Sequence, residues 1–420
     1  MAQAVLDQPV LTAADGMPLR VALRRAERRK RLTAFVLVAP LLLFILITFA
    51  VPILDMVLRS VHDPVVSETF PRTGAALQSW DGATMPDQPT LQVFVGEMTK
   101  AYDDKTVGKV ATRMNYEIPG THSLFMKTGR RAGRLEGGDL GTELVKIDKD
   151  WANPEIWATL ERLSSPYTLS FYLAALDMQY NTQGEIVAQP ENRQIYKMLF
   201  WRTLWVSLLI TGICLLLAYP ISYLLAILPT KTSNLLMIMV LLPFWTSLLV
   251  RTTSWIVLLQ TEGVLNSLMV WIGLIGDDQR LQMIYNMTGT VVAMVHILLP
   301  FMVLPLFSVM KTISPSYMRA AESLGATPAR AFWRIYFPLT IPGIGAGSLL
   351  VFILAIGYYI TPALVGGRTG QLISNFIAFH MQKSLNWGLA AALAGLLLLG
   401  VLALYWLYNR LVGIDNMKLG

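Results

Sequence analysis

Apolar residues in this chain come in long unbroken runs rather than at strand or amphipathic-helix spacing. Six stretches, residues 33–58, 199–228, 234–259, 288–310, 341–360 and 387–408, are apolar almost throughout. About 20 such residues in an α-helix cross the ~30 Å hydrocarbon core of a bilayer, so each run predicts one transmembrane helix. The first run is longer than the roughly 7–15 apolar residues of a secretory signal. No small-x-small cleavage site follows it closely, so it predicts a retained first helix. The predicted fold class is all-α integral membrane, with six transmembrane helices.

Between the first and second runs lies a segment of different character. Residues 59–198 are polar and rich in Gly, Pro and charge, with Trp80, Trp151, Trp157 and Tyr167 scattered among them. A connection this long does not stay bare. It predicts a small domain, with the Gly- and Arg-dense stretch 128–141 as a flexible part. No repeat runs through it.

Charge placement sets the orientation. Arg20, Arg24, Arg25, Arg28, Arg29, Lys30 and Arg31 stand just before the first apolar run. With that end inside, the inner segments also hold Lys231, then Lys311, Arg319, Arg330 and Arg334, and finally Arg410 and Lys418. The short outer loops hold only Arg280, Arg368 and Lys383. The bias predicts both termini in the cytoplasm and 59–198 on the outside. The chain thus divides into a cytoplasmic basic segment 1–32, a first span 33–58, an extracytoplasmic insertion 59–198, a transmembrane domain 199–411 and a cytoplasmic tail 412–420.

Composition narrows the function. The 420 residues are 54% hydrophobic and 15% charged, with mean hydropathy +0.50, where a soluble chain is about 25% charged. The net charge of +7 sits beside an apolar run and has no folded reading surface, which argues against nucleic acid. A lone cysteine, Cys214, builds neither a disulfide nor a thiolate metal site. His62, His122, His296 and His380 have no ligand spacing. The chain lacks a phosphate loop, a G-x-S-x-G elbow and an H-E-x-x-H pair. No catalytic residue, metal or cofactor is expected, and any ATP that drives the protein binds another chain.

One polar loop carries mechanism. Residues 311–343 read as helix, turn, helix. Ser314 and Pro315 supply a helix start. Tyr317, Ala320, Ala321 and Leu324 recur as an apolar stripe. Gly325 is placed to end that helix in a left-handed conformation, Thr327 and Pro328 restart it, and Pro338 is expected to stop the second helix. The first helix, of about 10 residues, is marginal alone in water. It must lie against something, either a partner chain or its own bundle at the membrane surface.

The run AAESLGATPARAFWRIYFP, residues 320–338, resembles the cytoplasmic-loop signature of the permease subunits of ATP-binding-cassette (ABC) importers. That signature is Glu-Ala-Ala, three residues, Gly, nine residues, Ile-x-Leu-Pro. Ala320, Ala321, Gly325, Ile335 and Pro338 fall on it; Phe337 replaces the Leu, Arg319 stands where the leading Glu belongs, and an acid follows at Glu322. In that family the loop is a coupling helix that docks on an ATPase subunit. The resemblance makes Arg319, Ala320, Ala321, Glu322, Gly325 and Ala326 the candidate coupling residues, within a loop at 311–340. Residues 241–259, 296–314 and 338–367 are similar to the spermidine/putrescine branch of these permeases. The resemblance implies six helices of the type I importer kind, a bacterial inner-membrane location, ABC ATPase partners, a second homologous permease, a periplasmic solute-binding protein, and a polyamine as solute. The long outer insertion, roughly residues 79–160, is not part of that pattern.

Candidate residues for a translocation path are fewer. Arg251 and His296 are ionisable groups inside apolar runs, which face a bundle interior or snorkel rather than face lipid. Trp255, Tyr358 and Tyr359 offer aromatic faces to a cation, or belong to an interfacial belt. The segment 357–364 holds no carboxylate, which favours a less cationic solute such as an amino acid derivative or opine. An ion-coupled secondary transporter would want acids in the spans, and a membrane enzyme would want a constellation that 59–198 does not display.

Overall fold

The computed structural model describes residues 19–135 and 138–412. Most of the basic segment 1–32 and nearly all of the tail 412–420 lie outside the described residues. The chain divides into two units, residues 1–59 and 60–420.

The described part of the first unit is a single long helix from Leu19 whose apolar part is Ala26–Arg59. A π-helical turn at Leu46–Ala50 interrupts it. Pro52 follows two residues later, and the carbonyl that its ring would strike lies inside that wider turn. The same device recurs in the second unit. There Pro328–Gly357 is one helical span carrying a π turn at Phe332–Tyr336, with Pro338 two residues after it. Pro338 therefore does not stop the helix as its position in the sequence suggests. The fifth apolar helix begins at Pro328 rather than at residue 341 and ends at Gly357.

Residues 60–195 form a domain between the first and second apolar helices, here called the interspan domain. Its helices are Val65–Thr69, Pro71–Leu77, Gln88–Asp103, Val107–Glu117, Thr121–Ala132, Leu140–Ile147, Pro154–Arg162 and Ser170–Ala175. Asp87, Asp139 and Asn153 cap three of them by accepting from the first-turn N–H groups. The aromatics that look isolated in sequence meet in one core. Phe94 packs edge-on against Trp151 and Trp157 with ring centroids 5.0 Å apart, and Phe125 lies 5.3 Å from Trp151. The Trp151 indole donates to Thr128 Oγ1 at 2.9 Å and the Trp157 indole to the Trp151 carbonyl at 3.0 Å. Thr128 is thus fully buried on a helix that runs to Ala132, so the first part of the 128–141 stretch is ordered, contrary to its composition.

A buried ion-pair network closes the domain toward the bundle. Arg113 pairs with Asp63 and, at 2.8 Å, with Glu117, which also receives Arg162 at 3.2 Å. Burial alone would raise the Glu117 pKa, but the Arg113 and Arg162 guanidiniums outweigh it and hold the carboxyl below its ordinary 4.5. A short hairpin pairs Met178–Tyr180 with Ile186–Ala188. Asp177, just before it, accepts from the N–H groups of Ile195, Tyr196 and Lys197 at 2.8–3.0 Å. A carboxylate at a helix N-terminus complements its dipole, so the domain seats the start of the Tyr196–Ile227 helix. The Tyr116 hydroxyl donates to the Ser384 carbonyl at 3.0 Å, and His380 sits between Tyr196 Oη and Ser384 Oγ at 2.8 Å each.

In the bundle, Tyr196–Ile227, Met287–Thr312 and Pro328–Gly357 pack face to face. Gly343 and Gly347 permit the closest approach: a Cβ at Gly347 would lie 2.8 Å from Met302 Sδ and 3.2 Å from its carbonyl. Trp387–Val412 is the last apolar helix. The 234–259 run is not one straight span. A 3₁₀ turn at Leu242–Trp245 breaks it, and Thr230–Trp245 and Leu248–Trp271 meet at 97°. Pro243 opens the break, and Ser247 restarts the helix by accepting from the Val250 N–H at 3.2 Å. Among the described residues, five helices are long and apolar enough to cross a membrane, or six if the bent pair counts as one span.

Candidate functional site

Two places gather the residues that the sequence singles out. The first is the arm at Ser316–Ser323. Its start is fixed by Ser314, whose Oγ accepts from the Ser316 N–H at 3.3 Å. Its end is a Schellman turn: Ala326 N–H donates to the Ala321 carbonyl at 3.0 Å and Gly325 N–H to the Glu322 carbonyl at 2.9 Å. Gly325 holds φ +87, the left-handed region its place in the sequence calls for. Thr327 then caps the next helix by accepting from the Arg330 N–H at 3.4 Å. No residue of the arm is buried. Arg319, Ala320, Glu322 and Gly325 are exposed, and Ala321 and Ala326 partly so. Tyr317 is 55% exposed and Leu324 89%.

An aromatic cluster anchors the arm to the bundle. Phe332 and Tyr336 of the π turn stack at 5.7 Å and meet Tyr223 edge-on at 5.8 and 5.3 Å. Tyr219 lies 6.2 Å from Phe332, and its hydroxyl is 3.2 Å from Thr340 Oγ1. Sequence reasoning missed these residues. Part of the signal was present, since Tyr219 and Tyr223 stand one helical turn apart and residues 332–337 read FWRIYF.

The second place lies at the broken helix. Arg251 folds back onto the break, donating to the carbonyls of Pro243 and Thr246 (the latter at 2.9 Å). It satisfies backbone acceptors that the 3₁₀ turn leaves open. The Trp255 indole donates to His296 Nδ1 at 3.1 Å, with ring centroids 5.2 Å apart. Arg251 stands one helical turn before Trp255 on the Leu248–Leu259 helix, and Tyr358 packs against the same core cluster as Leu248. These four therefore share one region. Tyr358 and Tyr359 follow the end of Pro328–Gly357, and their carbonyls accept from Ser374 Oγ and Asn375 Nδ2 at 2.7 Å each. The Tyr359 ring is 38% exposed and is not tied to the other four. Thr252 and Thr361, 3.4 Å apart through their hydroxyls, complete the contact between the broken helix and the Ile360–Val365 helix. Among the described residues no cluster of His, Cys, Asp and Glu could hold a metal ion.

Several apolar helices of membrane-crossing length, an exposed polar arm capped at both ends and a region of polar side chains at a helix break describe a multi-pass transport protein. Residues 216–412 match the family described as binding-protein-dependent transport system inner membrane component. That range contains the arm and all the path candidates, and excludes the interspan domain. The chain is 36% identical over 221 residues to the spermidine/putrescine transport system permease protein PotB of Escherichia coli (strain K12), covering 52% of this chain and 80% of the relative. It is 34% identical to the protein of the same name from Haemophilus influenzae, covering 51% and 75%. Among solved structures, a bacterial ABC transporter involved in the import of the acidic polysaccharide alginate aligns with TM-score 0.42 at 18% identity, over 52% of this chain and 80% of that one. The chain belongs to the family of inner-membrane permease components of ABC importers.

Proposed function

We propose that this chain is the permease subunit of an importer that moves a polyamine, spermidine or putrescine, into the cytoplasm. The solute follows from the relatives' names and from identity spread over half of the chain. On this reading six helices span the membrane, with the bent 230–271 segment as one of them. Both termini are cytoplasmic, and residues 59–198 form an extracytoplasmic insertion. A second homologous permease, two ATPase subunits and a periplasmic solute-binding protein complete the machine.

The observation that carries the mechanism is the Ser316–Ser323 arm, rigid at both ends yet with Tyr317 and Leu324 exposed. We assign Arg319, Ala320, Ala321, Glu322, Gly325 and Ala326 to the surface that an ATPase grips. ATP binding shifts a transporter only through a contact that differs between its states. The arm is such a contact, with the Tyr219–Tyr223–Phe332–Tyr336 cluster as its fulcrum. Arg251, Trp255, His296, Tyr358 and Tyr359 form the proposed path.

Arg251, one helical turn from the Trp255 that donates to His296, favours a second reading, in which the solute is an amino acid derivative or opine, since a fixed cation repels a polyamine. Uptake of labelled spermidine by vesicles holding the whole importer decides between them. ATP-dependent uptake that fails without the ATPase subunits is expected. Uptake that persists without them overturns the importer mechanism. ATP-dependent transport of an amino acid derivative with none of spermidine or putrescine overturns the solute.

A further inference from the structure

Beside the interspan domain, the Tyr196–Ile227 and Trp387–Val412 helices leave a cleft of about 410 Å³ between them. Phe200 and Leu204 form one wall, Leu397, Gly400 and Leu404 the other, and Ile356 of the Pro328–Gly357 helix the floor. The cleft begins where the contact between domain and bundle ends. There Phe171, Tyr196 and Leu393 are buried together, with Leu396 and Leu397 packed against them. Leu176 of the domain, just past the Ser170–Ala175 helix, lies at the same end as Lys197.

The depth of the cleft suits one leaflet. From Lys197 to Leu204 one wall runs about 10 Å, and from Leu396 to Leu404 the other runs about 12 Å, at 1.5 Å per residue. Half of a bilayer's hydrocarbon core is ~15 Å thick, whereas a helix from a neighbouring subunit would run through both halves. Lys197 is the one charged residue in the lining. Its side chain is exposed and makes no ion pair or hydrogen bond to the described residues. Asp177 takes the Lys197 backbone N–H at 2.8 Å, but its carboxylate is 1% exposed and also holds the Ile195 and Tyr196 N–H groups. Trp201, in the next turn, is 70% exposed, as suits a ring at headgroup level.

We propose that this cleft seats one tail of an anionic glycerophospholipid of the outer leaflet, its phosphate on Lys197, continuing the seam between interspan domain and bundle. A tail leaving bulk lipid gains no hydrophobic energy. Its binding rests on dispersion contacts along the walls and on the charge pair. The leaflet follows from the orientation proposed above, while the site itself does not depend on the solute carried.

The test is native mass spectrometry of the assembled importer, stripped of lipid in detergent and then given equimolar phosphatidylglycerol and phosphatidylethanolamine. The natural protein is expected to prefer phosphatidylglycerol by about two- to fivefold, the range of one partly exposed ion pair. At Gly400 an added Cβ meets no atom within 4 Å, so Gly400→Phe fills the cleft and is expected to keep one phospholipid fewer. Lys197→Gln leaves the cleft open and is expected to keep the lipid while taking both headgroups equally. An unfolding midpoint without added lipid that matches the natural protein shows that Gly400→Phe is folded; should it fall, the Lys197 variant alone decides. A folded Gly400→Phe that loses no lipid overturns the proposal, as does a headgroup preference unchanged in Lys197→Gln. Retention of no phospholipid by the natural protein means that a protein surface or detergent fills the cleft, and overturns it too.

Discussion

The interspan domain and the Ser316–Ser323 arm put their apolar side chains to opposite use. In the domain, Phe94, Phe125, Trp151 and Trp157 are all 0% exposed and meet one another. At about 25 cal/mol per Å² of apolar surface removed from water, that core stabilises a segment that otherwise reads as polar. No residue of the arm is fully buried, and apart from Met318, which packs partly buried against the bundle core, its order comes from local backbone chemistry: Ser314 at its start, the Schellman turn at Gly325 and the Thr327 cap. The domain is folded for its own sake. On the proposed reading the arm is shaped in advance for a surface that another chain supplies, and binding then costs it little ordering entropy.

The largest effect should come from damaging the arm. Gly325→Val forces a β-branched residue into the left-handed region, where any L side chain costs about 1–2 kcal/mol. No atom lies within 4 Å of the added Cβ, so the change misdirects the chain without a clash. Vesicle uptake is expected to fall by more than about tenfold, with expression and unfolding midpoint near normal; one such factor is 1.4 kcal/mol of coupling. Next comes the domain. Trp151→Ala removes the ring that Phe94, Phe125 and Trp157 pack on and leaves Thr128 Oγ1 only its bond to the Leu124 carbonyl, for a loss of about 3–5 kcal/mol. Denaturant unfolding followed by tryptophan fluorescence measures it, and a loss below 1 kcal/mol would show that the core is not what holds the domain.

A smaller effect is expected with pH. The Glu117 pKa is lowered by Arg113 and Arg162 against its burial, so its contribution to stability is complete above the ordinary 4.5 and drains away as pH falls through the lowered value. Glu117→Gln should flatten that part of the stability profile, and an unaltered acid limb would contradict the pairing. Smallest is Thr327→Ala, which removes one cap and should cost about 1 kcal/mol, seen as a modest drop in uptake rather than in global stability.

What could be read from the sequence follows from how local the determinants are. Gly325 and Thr327 act on neighbours a few residues away, so the turn at the end of the arm was legible. Apolar length alone located the helices, to within a few residues at Met287–Thr312 and Tyr196–Ile227. The break at Leu242–Trp245 was hidden because Pro243 and Ser247 sit inside a run whose total length and mean hydropathy suit a single span. Pro338 misled for the opposite reason: the π turn before it makes room for its ring, and neither hydropathy nor propensity signals that turn. The interspan core joins residues from Val66 to Leu163, and no period in the sequence connects them. At the path, the candidates came from asking which polar groups a bilayer would refuse. The return of Arg251 to the Pro243 and Thr246 carbonyls depended on a bend that the sequence did not announce.

The central claim is that the arm docks on an ATP-hydrolysing partner. Cys214 is the chain's one cysteine and is 0% exposed, so a thiol placed by Leu324→Cys or Tyr317→Cys is the reactive one. Crosslinking in membranes that contain the assembled importer is expected to join either position to the ATPase subunit, with a yield that changes between nucleotide-free and ATP-bound states. Intact uptake with no ATPase adduct at either position, in any nucleotide state, would contradict the account.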